Sequence, residues 1–187
     1  ACVVGSSRIY TLLFIVMVAL LGSYYWRYNQ YEFCKEWTSC KMLYNIGAYQ
    51  SAKDSYEKLY PKLNDRGTFL FEYGHCLHKL KEYDASTEIM EEAITHSCDP
   101  MILNIIGKNY QATGEYEKAE EYFIRSTHRL PGRICPYYLL AKLYAEPEYW
   151  NPEKLRQAVG VVLTKEPKVQ STAIREMREE VKKLLKR

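Results

Sequence analysis

Chemistry has few footholds in this sequence. It holds only 4 histidines, and none of its 9 glycines falls in a glycine-rich phosphate loop. Its 6 cysteines include no Cys-x-x-Cys pair and no Cys/His zinc spacing. His75 and His78 sit three apart, on one face if the segment is helical, but two ligands do not make a metal site. No nucleophile, base and acid fall into a recognisable set, so no catalytic residue, no metal and no cofactor is expected, and a soluble enzyme is the least supported reading. The formal net charge is +3, of which Arg8 and Arg27 supply two; the remainder is too balanced for a nucleic-acid partner. The cysteines read as free, mostly buried thiols, because disulfides need an oxidising compartment and matching geometry.

Long apolar runs are also scarce, with one exception. Residues 9–26 carry no charge and are bracketed by Arg8 and Arg27. The stretch 12–21 has no polar face, and its residues each favour insertion by roughly 0.3–0.6 kcal/mol at a helix centre. Eighteen residues lie near the lower limit for a span. Tyr24, Tyr25 and Trp26 form an aromatic belt at one end, as at a membrane–water interface. A transmembrane helix over 9–26 is expected, with 1–8 as a truncated upstream flank and 27–32 as a juxtamembrane linker. A secretory signal is the rival, Arg8 serving as its basic region, although no small-x-small cleavage site follows. The chain opens on Ala1 rather than Met, which reads as the C-terminal part of a longer membrane protein or a processed chain. Counting Lys and Arg around the span leaves its orientation open.

What is abundant is repetition. Gly47-Ala48-Tyr49, Lys81-Glu82-Tyr83 and Gly114-Glu115-Tyr116 open three similar stretches, with tyrosines spaced by 34 and 33 residues. A period near 34 marks a helical array. In the third unit Leu103, Ile106, Gly107 and Tyr110 fall at i, i+3, i+4, i+7, one stripe of a helix. Gly107 has no side chain, so a second helix can pack close; Gly114 suits the positive φ that ends a helix tightly. Ala119, Phe123 and Ser126 form the stripe of that second helix, and Pro131-Gly132 stops it. The unit closely resembles the tetratricopeptide repeat (TPR). The resemblance implies an all-α, TPR-like helical-repeat solenoid of about four helix pairs behind the apolar helix. The repeats fall at about 33–66, 67–99, 100–133 and 134–166. The fourth breaks pattern at 147–152, and a polar capping helix is expected over 172–186, with Ile174, Met177, Val181 and Leu184 on its apolar side.

Such arrays offer a groove rather than a reaction centre. In TPR arrays the first helix of each unit turns positions 5, 9 and 12 to the concave side. Position 5 reads Trp37, Phe71, Asn104, Tyr138; position 9 reads Lys41, His75, Lys108, Lys142; position 12 reads Tyr44, His78, Gln111, Ala145. Aromatics and lysines thus recur along one surface. They either seal the first helices against each other or bind an acidic or glycan-bearing partner, by stacking and charge-assisted hydrogen bonds.

Further segments widen the likeness. Phe69-Leu70-Phe71-Glu72-Tyr73-Gly74, Ser97-Cys98-Asp99-Pro100-Met101, Gly107-Lys108-Asn109-Tyr110-Gln111 and Tyr137-Tyr138-Leu139-Leu140-Ala141-Lys142-Leu143-Tyr144 form a specific set. With Lys168-Val169 before Ala173-Ile174-Arg175-Glu176-Met177, they resemble the C-terminal TPR region of Bacteroidetes-type O-antigen ligase or polymerase family membrane proteins. The resemblance implies a non-catalytic module in the bacterial inner membrane, binding a protein or glycan ligand in its groove. The family's glycan chemistry belongs to its multi-pass part, so no catalytic residue carries over. The alternative is a stand-alone membrane-anchored TPR scaffold for a protein complex.

Overall fold

A computed structural model describes residues 3–167 and 169–185, and its regular elements are all helices. Ala1 and Cys2 of the upstream flank, Lys168, and Lys186 at the end of the expected capping helix lie outside the described residues. In chain order the α-helices are α1 (Val3–Asn45), α2 (Tyr49–Leu63), α3 (Gly67–Lys79), α4 (Tyr83–His96), α5 (Pro100–Thr113), α6 (Tyr116–Arg129), α7 (Cys135–Tyr144), α8 (Pro152–Thr164) and α9 (Thr172–Leu184). They form two units, Ala1–Leu63 and Asn64–Arg187.

In the first unit, the flank, the apolar run and the expected linker are one helix. Between Arg8 and Asn45 there is no proline and only Gly22, so nothing interrupts the i→i−4 ladder at 27–32. Every large apolar side chain from 9 to 26 is at least half exposed, unlike a core helix. By length and composition this helix can cross a membrane. The far end of α1 packs on α2, where Cys40, Ala52, Tyr56, Leu59 and Leu63 are buried.

The second unit is built of consecutive antiparallel helix pairs, α3 with α4, α5 with α6 and α7 with α8, with α9 laid on the last pair. Leu70, Leu77, Met90 and Ala93 in one pair, and the expected stripe residues Leu103, Ile106, Ala119 and Phe123 in the next, are all essentially inaccessible. Burying a side chain of this size is worth about 1.5–3 kcal/mol. Starts and stops follow local chemistry. Asp99 caps α5, its Oδ1 accepting from Met101 N at 2.9 Å, with Pro100 at the first helical position. Asn151 does the same for α8 through Lys154 N at 3.0 Å, again ahead of a proline, and Ser171 caps α9 through Ile174 N at 3.3 Å. Pro131-Gly132 lies in the turn after α6, as its composition predicts.

One stop signal recurs three times across the chain. Ala48 N reaches Leu43 O at 3.0 Å, Glu82 N reaches Leu77 O at 3.0 Å, and Glu115 N reaches Tyr110 O at 2.8 Å. Each closes a helix through a left-handed residue just before it. Two of these are glycines, Gly47 (φ 80°) and Gly114 (φ 84°); the third is Lys81, the one non-glycine residue with positive φ among those described (φ 64°). A side chain in that region is strained by about 1–2 kcal/mol. Lys81→Gly is therefore expected to stabilise the fold by up to about 1 kcal/mol, since glycine recovers the strain and gives part of it back as chain entropy. Chemical denaturation checks this: the midpoint rises at an unchanged m-value.

Candidate functional site

The first helices of the pairs, α3, α5 and α7, lie side by side and form the inner layer of the second unit. A stripe at i, i+4, i+7 on each stands beside the packing face. On α3 the Phe71 and His75 rings stack at 6.1 Å and 6°, and His75 stacks on His78 at 6.1 Å and 16°. Tyr83, opening α4, continues the row 5.9 Å from His78. On α7, Lys142 Nζ lies 5.6 Å from the centre of the Tyr138 ring, a cation–π distance.

A buried polar network sets His78 in place. Asn109, 1 % exposed, gives its Nδ2 to Ser86 Oγ (2.9 Å) and Thr87 Oγ1 (3.1 Å), while Ser86 Oγ–H donates to Gly74 O at 2.7 Å. The Asn109 Oδ1 is left as an acceptor, and His78 Nδ1 stands 2.6 Å from it. With the amide oriented this way, Nδ1 carries the proton and a neutral His78 keeps Nε2 as its acceptor.

The ammonium groups here act on one another and on the imidazoles. Burial lowers the Lys108 ammonium pKa, and the fields of Lys79 and Lys142 lower it further. Burial, then Lys79, His78 and Lys108, bring His75 down to about 4; His78 is lowered by burial, with Lys108 and Lys79 adding and the Asn109 hydrogen bond opposing. Both imidazoles are thus neutral at pH 7 and the cations are the lysines. Beside Lys108, burial raises the Cys135 thiol against the pull of Lys108 and Arg133.

One group on this stripe is incompletely satisfied. Asn104 is 3 % exposed, and its Oδ1 has no hydrogen-bond partner among the described residues. Its Nδ2 has only a long contact, 3.9 Å, to Met101 Sδ. An orphaned buried acceptor costs about 1–3 kcal/mol.

The sequence-predicted residues divide between the units. Trp37, Lys41 and Tyr44 belong to the first, where Lys41 Nζ lies 5.9 Å from the Trp37 ring and Tyr44 meets Tyr49 edge-on at 5.9 Å. Phe71, His75, His78, Asn104, Lys108, Gln111, Tyr138 and Lys142 belong to the second. Three of them are not open groove residues. Asn104 is buried, Gln111 Nε2 donates to Glu146 at 2.7 Å, and the Tyr138 hydroxyl donates to Glu180 of α9. Glu146 and Glu180 come from the broken fourth repeat and the end helix, so repeat arithmetic could not place them. Lys79 and Asn109 were missed because they fall outside positions 5, 9 and 12. Of the described cysteines only Cys40 and Cys76 are buried, while Cys98 is exposed in the loop before α5, which corrects the expectation of mostly buried thiols. Among the described residues no three His, Cys, Asp or Glu side chains gather as metal ligands.

The break in the fourth repeat is an ordered structure. Pro147–Tyr149 form a 3-10 turn, and Asn151 N bonds Tyr144 O at 3.1 Å. Glu120 on α6 accepts from Tyr144 Oη (2.6 Å), Tyr149 Oη (2.7 Å) and Lys154 Nζ (2.7 Å). Burial pushes the Glu120 carboxyl upward, but these three donors outweigh it and hold it below the usual range. A depressed carboxyl contributes stability above its unfolded pKa of about 4.3 and loses it as pH falls through the lower folded value. Glu120→Gln is expected to destabilise by about 1.5–3 kcal/mol at pH 7. The gap to wild type closes below about pH 4, which melting curves across pH would show.

A family model described as tetratricopeptide repeat matches residues 68–95 and 102–127, the α3–α4 and α5–α6 pairs. No curated protein matches the chain in sequence. Among solved structures, YrrB, described as a TPR protein with an unusual peptide-binding site, gives a TM-score of 0.66 at 19% identity, covering 79% of this chain and 73% of YrrB. MamA from residue 41 to the end, from Desulfovibrio magneticus RS-1, gives 0.59 at 17% identity, covering 81% and 74%. PcrH in complex with the chaperone binding region of PopD gives 0.52 at 13% identity, covering 67% and 90%. At these identities the likeness is one of fold: the chain carries TPR repeats in an all-helical array.

Proposed function

We propose that the chain is a membrane-tethered TPR interaction module whose inner helices hold an extended, acidic segment of a partner protein. The observation that carries this reading is the group of lysines on the inner helices, where Lys79 and Lys142 both act against the Lys108 cation, while Glu146 and Glu180 are engaged with Gln111 and Tyr138. A carboxylate relieves the repulsion among the lysines. Phe71 and His75 add ring faces along the same line. YrrB and PcrH are described with a peptide-binding site and with a bound partner region, which supports a protein segment as the occupant. No residue set for catalysis is proposed. The test is titration of the full chain with acidic, neutral and basic extended peptides of one length. Selective, salt-sensitive binding of the acidic peptide is the expected result, and equal affinity for all three removes the reading.

The tether is the exposed apolar half of α1. Its side chains from 9 to 26 have no shelter within the described chain, and lipid supplies it. The full chain is expected to need detergent, whereas the chain from Gln30 onward stays in solution and keeps its helical circular dichroism. A full chain that is monomeric in buffer alone sinks the tether.

A finer assignment rests on the resemblance of the repeat and loop segments to O-antigen ligase or polymerase family proteins. On that reading this is the non-catalytic module of an envelope glycan protein; a stand-alone membrane-anchored scaffold is the alternative. Sequencing the gene upstream of Ala1 separates them, since several further hydrophobic spans favour the first.

A further inference from the structure

We infer that the segment 147–154 forms a second binding site, separate from the inner stripe, for a neutral saccharide. The segment departs from the repeat pattern yet is firmly held. Besides the bonds to Glu120, Tyr149 N reaches Glu146 O at 3.1 Å, and the Tyr149 ring stacks on Tyr116 at 5.5 Å and 26°. Asn151 is fixed at both ends, its N on Tyr144 O and its Oδ1 on Lys154 N. On this rigid base Trp150 stands out 48 % exposed and has no hydrogen bond or ring contact among the described residues. The anchored turn leaves the indole beside the Glu148 carboxylate and the Asn151 amide.

Beside the indole is an open surface depression of about 390 Å³ lined by Pro147, Glu148, Tyr149, Trp150, Asn151 and Lys154. That volume is within the range of small-molecule sites, about 300–1,000 Å³. Its chemistry is mixed in a particular way. The indole gives a flat apolar face with one N–H donor at its edge. Glu148 gives a carboxylate with no ion pair among the described residues, and Asn151 has its Nδ2 available. Lys154 is already neutralised by Glu120 at 2.7 Å. A pocket with one free acceptor, amide and indole donors and no uncompensated cation does not suit an anion, and the carboxylate opposes an anionic lipid surface. A pyranose ring fits these demands. Its C–H face lies on the indole, and its hydroxyls donate to Glu148 and accept from Asn151 and the indole N–H.

The experiment uses the full chain in a detergent without a sugar headgroup. Calorimetric titration is run with neutral hexoses, N-acetylhexosamines and their short oligomers, and in parallel with zwitterionic vesicles free of glycolipid. The expected result is saturable binding of at least one saccharide, weakened about tenfold by Trp150→Ala. Trp150→Phe keeps a ring face and is expected to retain part of the affinity. Glu148→Gln weakens binding several-fold, and Lys108→Glu leaves it unchanged. Circular dichroism of each variant checks the fold. Absence of saturable binding across the panel, full binding by Trp150→Ala, or Trp150-dependent binding to the sugar-free vesicles overturns the site. Loss of saccharide binding in Lys108→Glu also overturns it, by moving the sugar to the inner stripe. The acidic-peptide titration stands or falls independently of all these outcomes.

Discussion

Gly107→Leu is expected to cost the second unit about 3 kcal/mol and to lower its melting temperature by about 10 °C. A Cβ built on Gly107 would lie 2.5 Å from Phe123 Cε1 and 2.7 Å from Cδ1, inside any real contact distance. Phe123 is fully buried, and its ring cannot bend aside, so α5 and α6 must part. Gly74 faces a similar approach, 2.9 Å from Met90 Cγ, but methionine has three rotatable bonds with which to withdraw. Gly74→Ala is therefore milder than the same change at 107. The control is Glu117→Leu, on an exposed face, which should cost less than about 1 kcal/mol. Equal losses in Gly107→Leu and Glu117→Leu would mean that the pairing of α5 with α6 is wrongly registered.

Lys108→Glu combined with Lys142→Glu is expected to reduce affinity for an acidic peptide about a hundredfold, a loss of about 2.7 kcal/mol. The double change removes two of the three inner-stripe lysines and places carboxylates where the ligand's own would sit. Wild-type binding should weaken steeply between low and high salt, whereas the variant's residual binding should be nearly flat. Stability should hold. Burial disfavours a charge of either sign at 108, but Lys79, which opposes the Lys108 cation, favours a carboxylate there. Lys142 is exposed and keeps only its ring contact with Tyr138. Unchanged peptide affinity with an intact fold would exclude the inner stripe as the site.

The repeat core was legible because its logic is local. Small residues at 74 and 107, apolar stripes at helical spacing and the glycine at 114 each report one contact or one dihedral, and a period near 34 repeats them. Lys81 was not legible, since nothing in its type announces a left-handed backbone; only its alignment with Gly47 and Gly114 does. The inner stripe was half legible. Period arithmetic found Lys108, His75 and Phe71, but it treats every equivalent position alike. It therefore missed that Asn104 is buried and that Glu146 and Glu180 reach Gln111 and Tyr138 from parts of the chain outside the period. The turn at 147–152 read only as an interruption, because its order comes from Glu120, some 30 residues away in sequence. The helix α1 continues through 27–32 because a change of composition from apolar to charged is not a change of backbone.

The way α9 is fastened has a dynamic consequence. Val181 is its one buried side chain among those described, assisted by Ile174 and Leu184 at the edge of the core and by Arg178, whose guanidinium donates to Val162 O (3.1 Å) and Lys165 O (2.7 Å). In an array where each element leans only on its neighbours, so narrow a footing opens at far less than the global unfolding energy. Its amides should exchange with solvent before those of α5. The Tyr138 hydroxyl is held by Glu180 while α9 is seated and is released when α9 lifts. A ligand that claims that hydroxyl thus draws on the lifted population. By reciprocity, whatever fraction of its binding energy goes to displacing Glu180 appears as an equal loosening of the terminal helix.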